Sequence, residues 1–226
     1  EFISNITHEL KTPIATVGVA IEALKNFNAI DNPERTREYL DISQNELHRL
    51  SLLVDKVLKL SMFESQGIEL KYETINLRGL VTEVVESLKL QLEKYKATVQ
   101  VSYEGETELR GDRLHLLSVV FNLLDNALKY RSADKQPAIQ VMINGTADAV
   151  ELKISDNGIG IAPEYQGKIF EKFFRVPHGD THNAKGYGLG LSYVAQVIHK
   201  HQGTIEVHSV PGEGTAFTIL LPKKEA

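Results

Sequence analysis

The chain's 226 residues suffice for one large domain or two modest ones, and 42% hydrophobic and 24% charged residues with 16 Gly and 7 Pro exclude a collagen, a disordered tail and a disulfide-stapled miniprotein. The absence of cysteine removes thiol catalysis, Cys-based zinc sites and disulfides together. A balance of 25 Lys and Arg against 30 Asp and Glu, a net charge of -5 and a pI near 5.9 argue against direct nucleic-acid binding as the main activity.

From Leu10 the apolar residues Ile14, Val17, Ile21 and Leu24 follow at spacings of 4, 3, 4 and 3, the alternation of a heptad seam on a long helix. Asn28 to Asn32 break the pattern, and Pro33 can open a second helix at its first turn. Leu40, Leu47, Leu50, Val54 and Val57 then resume the same period. The spacing predicts a helical hairpin in which each helix buries one stripe. Leu52, Leu53, Leu58 and Leu60 widen the second seam, and pairing with a second copy into a dimeric four-helix bundle would cover them.

Ser65 to Gly67 stop the helix, and the period falls to 2 at Ile68, Leu70 and Tyr72, so a first domain is expected over 1–66 and a second over 67–226. Strands are expected at Val99/Val101/Tyr103, Ile139/Val141/Ile143, Val150/Leu152/Ile154, Ile205/Val207 and Phe217/Ile219/Leu221. Helices are expected over Leu77 to Lys94, Asp112 to Tyr130 and Leu189 to His201. The second domain is then a mixed sheet with helices on one face, an α/β sandwich, and the whole chain is α+β. No run of about 18 apolar residues could cross a membrane. The opening EFISNITHEL has neither a signal-peptide apolar block nor an initiator Met, so the chain is expected to begin inside a larger protein.

Four segments could carry chemistry. In the first helix a heptad count sets His8 off the seam, with Glu9 beside it and Thr12 one turn on along the same face. A neutral imidazole, with an ordinary pKa of about 6.5, is a good nucleophile while a neighbouring carboxylate holds its other N–H. A lone His reads first as a solvent-facing helical residue; Pro13, inside a helix still apolar on both sides, is the anomaly against that reading. In the helix around Leu117, Phe121, Leu124 and Leu128, which read as its core face, Asn122, Asn126 and Tyr130 form a separate polar stripe next to Lys129. Amide oxygens there suit a hydrated Mg²⁺ and phosphates, although a polar stripe is commonly a solvated face.

The third segment, Asp156-Asn157-Gly158-Ile159-Gly160-Ile161, follows a strand directly, and its carboxylate could accept from an adenine amino group. Gly186-Tyr187-Gly188-Leu189-Gly190-Leu191 precedes a helix, where backbone N–H groups can cradle phosphates. Neither matches a dinucleotide fingerprint or a Walker A loop. Between them Lys168 to Arg175, with about a dozen aperiodic polar residues after it, reads as a mobile lid.

In order, His-Glu-Leu-Lys-Thr-Pro, Asn-x3-Asn-Ala-x-Lys-Tyr, Asp-x-Gly-x-Gly-Ile, Phe-x2-Phe-x-Arg and Gly-x-Gly-Leu-Gly-Leu resemble the H, N, G1, F and G2 boxes of bacterial sensor histidine kinases. The resemblance implies a dimerisation and histidine-phosphotransfer hairpin followed by a Bergerat-type ATP-binding domain. It implies that His8 is phosphorylated, that Glu9 is its acid/base partner, and that Thr12 orients water when the same domain dephosphorylates a response regulator. Asn126 and Asn122 would hold Mg²⁺, Lys129 and Arg175 would meet phosphates, Tyr130 would border the nucleotide and Asp156 would bind adenine. Gly158, Gly160 and Ile161, the lid anchor Phe170, and Gly186, Gly188, Leu189, Gly190 and Leu191 would complete the nucleotide site. Tyr187 departs from the small hydroxyl residue more usual in its box.

The expected partners are a second copy of the chain and a cognate response regulator receiver domain. This segment is expected to be cytoplasmic, within a full-length protein anchored in the bacterial inner membrane by a preceding region. Two alternatives accompany this reading: an ATP hydrolase like the gyrase, mismatch-repair and chaperone enzymes, and an inactive dimer scaffold. Those hydrolases carry a water-activating Glu one turn before the Mg²⁺ Asn, where this chain has Asn122.

Overall fold

A computed structural model describes residues 2–26, 31–64, 69–177 and 188–223, with side chains over the same residues except 2–10, 48, 49 and 51–64. The chain divides into two compact units, Glu1–Gly67 and Ile68–Ala226.

The first unit is a helical hairpin of α1 (Phe2–Asn26) and α2 (Pro33–Glu64), with α1 running through Pro13 without interruption. Asn32 caps α2: its Oδ1 accepts from the N–H groups of Glu34 and Arg35 at 3.1 and 3.2 Å, and Pro33 takes the first position, where a missing donor costs nothing. The buried line of the hairpin is Pro13 and Ala20 of α1 with Ser43 of α2, whose hydroxyl donates to the Tyr39 carbonyl at 2.8 Å. This rotates the expected seam by about one residue. Ile14, Ile21, Leu40 and Leu47 are 57%, 54%, 54% and 53% exposed. The small side chain at Ala20 and the compact ring at Pro13 face α2, while the larger residues remain outside, seven positions apart on each helix.

The second unit runs β1 (Glu73–Asn76), α3 (Leu77–Ser87), α4 (Lys89–Tyr95), β2 (Thr98–Glu104), β3 (Glu108–Gly111), α5 (Arg113–Lys129), β4 (Ala138–Gly145), β5 (Ala149–Asp156), α6 (Pro163–Gln166), α7 (Gly190–Lys200), β6 (Thr204–Val210) and β7 (Gly214–Pro222). The main sheet has the order β2-β4-β5-β7-β6, with β2 parallel to β4 and every other pair antiparallel. Strands β4, β5, β6 and β7 alternate as a half-covered sheet should, whereas the edge strand β2 is exposed except at Val99, with the expected inward residues Val101 and Tyr103 exposed as well. Ile139, Val141 and Ile143 of β4 point into the core beside Val150, Leu152 and Ile154 of β5, while Gln140, Met142 and Asn144 face outward. Val81 and Val84 of α3, Leu123 and Leu124 of α5, and Val194, Val197 and Ile198 of α7 complete that core.

Three further sequence expectations need correction. The helix expected from Leu77 to Lys94 is two helices, broken at Leu88 with φ -91° and ψ 2°, where the side chain is buried. Leu70 and Tyr72 are not in a strand; pairing starts at Glu73, in a separate two-stranded antiparallel sheet of β1 and β3. Of the expected core face of α5, Leu124 and Leu128 are buried and Leu117 is partly buried against the core, but Phe121 is exposed; Leu116, Val119, Val120, Leu123 and Ala127 complete the buried face.

Candidate functional site

Helix α5 is the spine of the site. It starts at Asp112, whose Oδ1 accepts from the His115 N–H at 3.0 Å, and its broad apolar face sinks into the core. The stripe Asn122, Asn126 and Tyr130 is left along one edge.

At the C-terminal end of α5 the Tyr130 carbonyl accepts the Ile159 N–H at 3.0 Å. Gly158 lies so close that a Cβ there would stand 2.4 Å from the same oxygen. Asp156 ends β5, and its Oδ1 accepts the Gly158 N–H at 2.8 Å. Burial pushes its carboxyl pKa above the ordinary 3.8, against the opposing pull of the Gly158 and Thr215 N–H groups. Asn157 ties this turn to 131–137: its Oδ1 accepts from Ala138 N–H and its Nδ2 donates to the Gln136 carbonyl, both at 2.9 Å. Gly160 has φ +71°, and a Cβ would fall 2.1 Å from the Val210 carbonyl oxygen.

At the other end, Gly190 opens α7 against Asn122, where a Cβ would meet Asn122 Oδ1 at 2.8 Å. The Asn122 Nδ2 donates to the Ser118 carbonyl at 2.7 Å, which holds the amide in that direction. Leu189 occupies the cap position of α7 and has no side-chain oxygen to offer the first N–H groups of the helix. The preceding Gly188 accepts the Phe173 N–H at 2.9 Å. The two glycine segments therefore meet α5 about 12 Å apart, from the helical rise over Asn122 to Tyr130. Asn126 lies midway, its amide not engaged by the described residues.

The other expected site residues are placed as follows. Lys129 is paired with Asp125 at 2.5 Å. Phe170 rests edge-on against Phe217 with ring centres 6.3 Å apart, and Ile161 and Leu191 also pack on the core; these three form the wall rather than the cleft. Arg175 is exposed. In the first unit His8 and Glu9 lie on α1, but their side chains are outside the described residues, as are Gly186 and Tyr187 entirely. Thr12, one turn after His8, is exposed.

Sequence reasoning missed a buried hydroxyl pair behind Asp156. Thr215 is the β-ladder partner of Asp156, and its Oγ1 is 2.9 Å from Ser209 Oγ, which accepts the Ile161 N–H and donates to the Gly214 carbonyl, both at 2.8 Å. Gly214, at φ +135°, approaches so closely that a Cβ would lie 1.9 Å from the Asp156 carbonyl oxygen. The turn Gly212-Glu213-Gly214-Thr215 was the available signal, with positive φ at both glycines.

Residues 111–225 match the family described as "Histidine kinase-, DNA gyrase B-, and HSP90-like ATPase", and residues 1–66 match "His Kinase A (phospho-acceptor) domain". The sensor protein RprX of Bacteroides fragilis is 37% identical over 223 residues, which are 98% of this chain and 43% of that protein, so the chain spans less than half of that relative. Among solved structures, the Acinetobacter baumannii histidine kinase AdeS superposes with a TM-score of 0.64 at 26% identity, over 96% of this chain and 98% of that one. The histidine kinase ThkA, in complex with the response regulator protein TrrA, gives 0.63 at 25% identity, over 99% of this chain and 61% of that one.

Proposed function

This chain belongs to the family of histidine kinase-, DNA gyrase B- and HSP90-like ATPases, as the catalytic core of a two-component sensor histidine kinase, and on that premise we propose that it phosphorylates its own His8 from ATP and passes the phosphoryl group to an aspartate of a response regulator. The observation that carries the nucleotide reading is the pair of glycine segments at the two ends of one polar stripe. A half-buried carboxylate stands at one end and a helix N-terminus without a side-chain cap at the other.

In this reading Asp156 accepts from the adenine amino group, with Thr215 and Ser209 behind it and Tyr130 at the border. The N–H groups of Gly188 to Leu191 receive the phosphates. Lys129 and Arg175 are the cations that would meet the phosphates. Mg²⁺ neutralises phosphate charge, and the amide oxygens of Asn126 and Asn122 suit that hard ion. One ring nitrogen of His8 forms the bond to the γ-phosphorus as the bond to the departing ADP oxygen breaks, while Glu9 takes the proton held by the other nitrogen. Thr12 orients the water that attacks the regulator's aspartyl phosphate in the opposing reaction, in which the bond to the aspartate breaks and inorganic phosphate leaves.

The exposed Ile14, Ile21, Leu40 and Leu47 support association of a second hairpin into a four-helix bundle. No helix among the described residues is long and apolar enough to cross a membrane; anchoring of the full-length protein in the inner membrane is part of this proposal and rests on the family resemblance alone. A hydrolase reading is not favoured, because residues 1–66 match a phospho-acceptor domain and Asn122 cannot take a proton from water.

The test is incubation with labelled ATP followed by acid and base treatment. Label that is acid-labile and base-stable is expected on the wild type and none on His8→Ala, with nucleotide binding preserved in the mutant. Label retained on His8→Ala refutes the assignment.

A further inference from the structure

His201 caps the C-terminal end of α7 and is only 4% exposed. Its Nδ1 is 2.8 Å from the Val197 carbonyl, which can only accept, so Nδ1 carries a proton. Its Nε2 is 2.9 Å from the Asp112 N–H, which can only donate, so Nε2 presents a lone pair. Both nitrogens are thus committed, and the ring is neutral in one tautomer. A second proton would have to sit on Nε2, directly facing the Asp112 N–H, leaving two buried donors pointed at each other.

Three parts of the second unit converge on this ring. Asp112 joins β3 to α5, and its side chain accepts the Lys71 N–H at 2.8 Å. Tyr72 sets its ring 5.6 Å from the His201 ring and donates its hydroxyl to the Lys200 carbonyl at 3.3 Å. Gly111 clears the space, since a Cβ there would lie 3.2 Å from His201 Cδ2. Further along α7, Tyr193 meets His115 of α5, with its hydroxyl 2.7 Å from Nδ1. Helix α7 is a rigid rod about 16 Å long. Its far end is the Gly190 turn set against Asn122.

We infer that neutral His201 is a latch: it ties the end of α7 to the start of α5 and to residues 71 and 72, and a second proton on its ring opens that tie and weakens nucleotide binding at the other end of α7. The second half of this inference rests on the nucleotide reading above. His201 touches no substrate and acts as a positioning residue.

The titratable groups that face the ring are Asp112 and His115 from the β3–α5 junction and Tyr72 from the segment before β1. Burial pushes the His201 pKa below its ordinary 6.5; the Val197 hydrogen bond and the Asp112 carboxylate oppose that shift, and His115 adds to it. The stability contributed by the latch is therefore complete above 6.5, the unfolded value, and is lost as pH falls from there through the lower folded value. Reciprocity requires that nucleotide, if it favours the latched form, make the ring still harder to protonate.

The experiment uses the full 226-residue chain, wild type and His201→Gln, between about pH 5 and 8. Gln keeps an oxygen for the Asp112 N–H but does not titrate. Imidazole NMR should find the Nδ1-protonated tautomer at neutral pH and a midpoint below 6.5, moving lower when a non-hydrolysable ATP analogue is added. In the wild type, hydrogen-exchange protection of the Lys71 and Asp112 amides should fall below 6.5, by at most about tenfold per pH unit for one proton. Affinity for a fluorescent ATP analogue should decline over the same window, and His201→Gln should lose both trends. A midpoint at or above 6.5, or identical pH profiles for the two proteins, overturns the latch. A midpoint that ignores nucleotide overturns the coupling. Failure to bind nucleotide at any pH overturns the functional reading instead, with the amide and imidazole titrations still deciding the latch; they need only the wild type if His201→Gln does not fold.

Discussion

Replacing Gly158 with Ala tests the end of the site proposed to hold adenine by a single methyl group. The new Cβ would stand 2.4 Å from the Tyr130 carbonyl oxygen and 2.8 Å from Asp156 Oδ1, whereas ordinary contact begins at 3.4 Å. The turn must therefore withdraw from the end of α5 by about 1 Å, which takes the 3.0 Å bond from Ile159 N–H to Tyr130 beyond hydrogen-bond length. Overpacking of this kind costs ~1–3 kcal/mol and the lost bond ~0.5–1.5, so destabilisation of ~2–4 kcal/mol is expected. A domain with ~5–15 kcal/mol of stability still folds. Asp156 moves with the turn, and losing a charged hydrogen bond to adenine, worth ~1.5–3 kcal/mol, weakens nucleotide binding by roughly 10- to 150-fold. Gly167→Ala is the control, because a Cβ there meets nothing within 4 Å. A fluorescent ATP-analogue titration and a thermal melt measure both effects. Wild-type affinity and melting in Gly158→Ala would refute the steric argument; equal losses in both variants would refute its assignment to this turn.

Asp156→Asn should separate stability from function. A carboxyl whose folded pKa is raised gives stability that is full below its unfolded 3.8 and is lost as pH rises through the folded value, so the ionised buried group is a liability at neutral pH. The Asn variant should melt higher than wild type at neutral pH, lose that advantage below about 3.8, and bind nucleotide poorly; melts across pH check this. Thr12→Ala should retain autophosphorylation and lose most regulator dephosphorylation, whereas Glu9→Gln should lose autophosphorylation first. Both assays on both variants decide it, and the opposite pattern in a folded protein refutes the division. The double change Ile21→Glu and Leu47→Glu introduces charges at two residues now about half exposed, and should convert a dimer into monomers by light scattering; an unchanged mass would place the dimer contact elsewhere.

The parts of the fold legible in sequence were those with several repeats of one period. All five strands of the main sheet show an apolar period of 2 in the sequence, although in β2 only Val99 is even partly covered, and Asp112 and Pro33 announce their helices by cap chemistry. Strands β1 and β3 are four residues each, too short for an alternation to show, and the break at Leu88 has neither Gly nor Pro to mark it. The rotated hairpin seam was hidden because Ala20 and Pro13 count for little on a hydropathy scale, although compactness is what lets two helices approach. At the site, Asp156, Gly158 and Gly190 were readable because close backbone contact demands glycine beside a functional group. Ser209 and Thr215 were not, since their role depends on the pairing of β5 with β7, which brings Asp156 beside a residue far along the chain.

The order of the strands also governs when this site can exist. Strand β7 follows every other described strand in sequence yet lies inside the sheet, between β5 and β6, and it carries Thr215 and Gly214 to Asp156. A growing chain emerging from the ribosome therefore holds β5 with one flank unpaired until β7 arrives. Such non-local pairing is slow and leaves an edge open to other chains. The wall of the proposed nucleotide site is then completed in one late step, and a nascent chain halted after β6 has Asp156 but no Thr215 or Gly214 behind it.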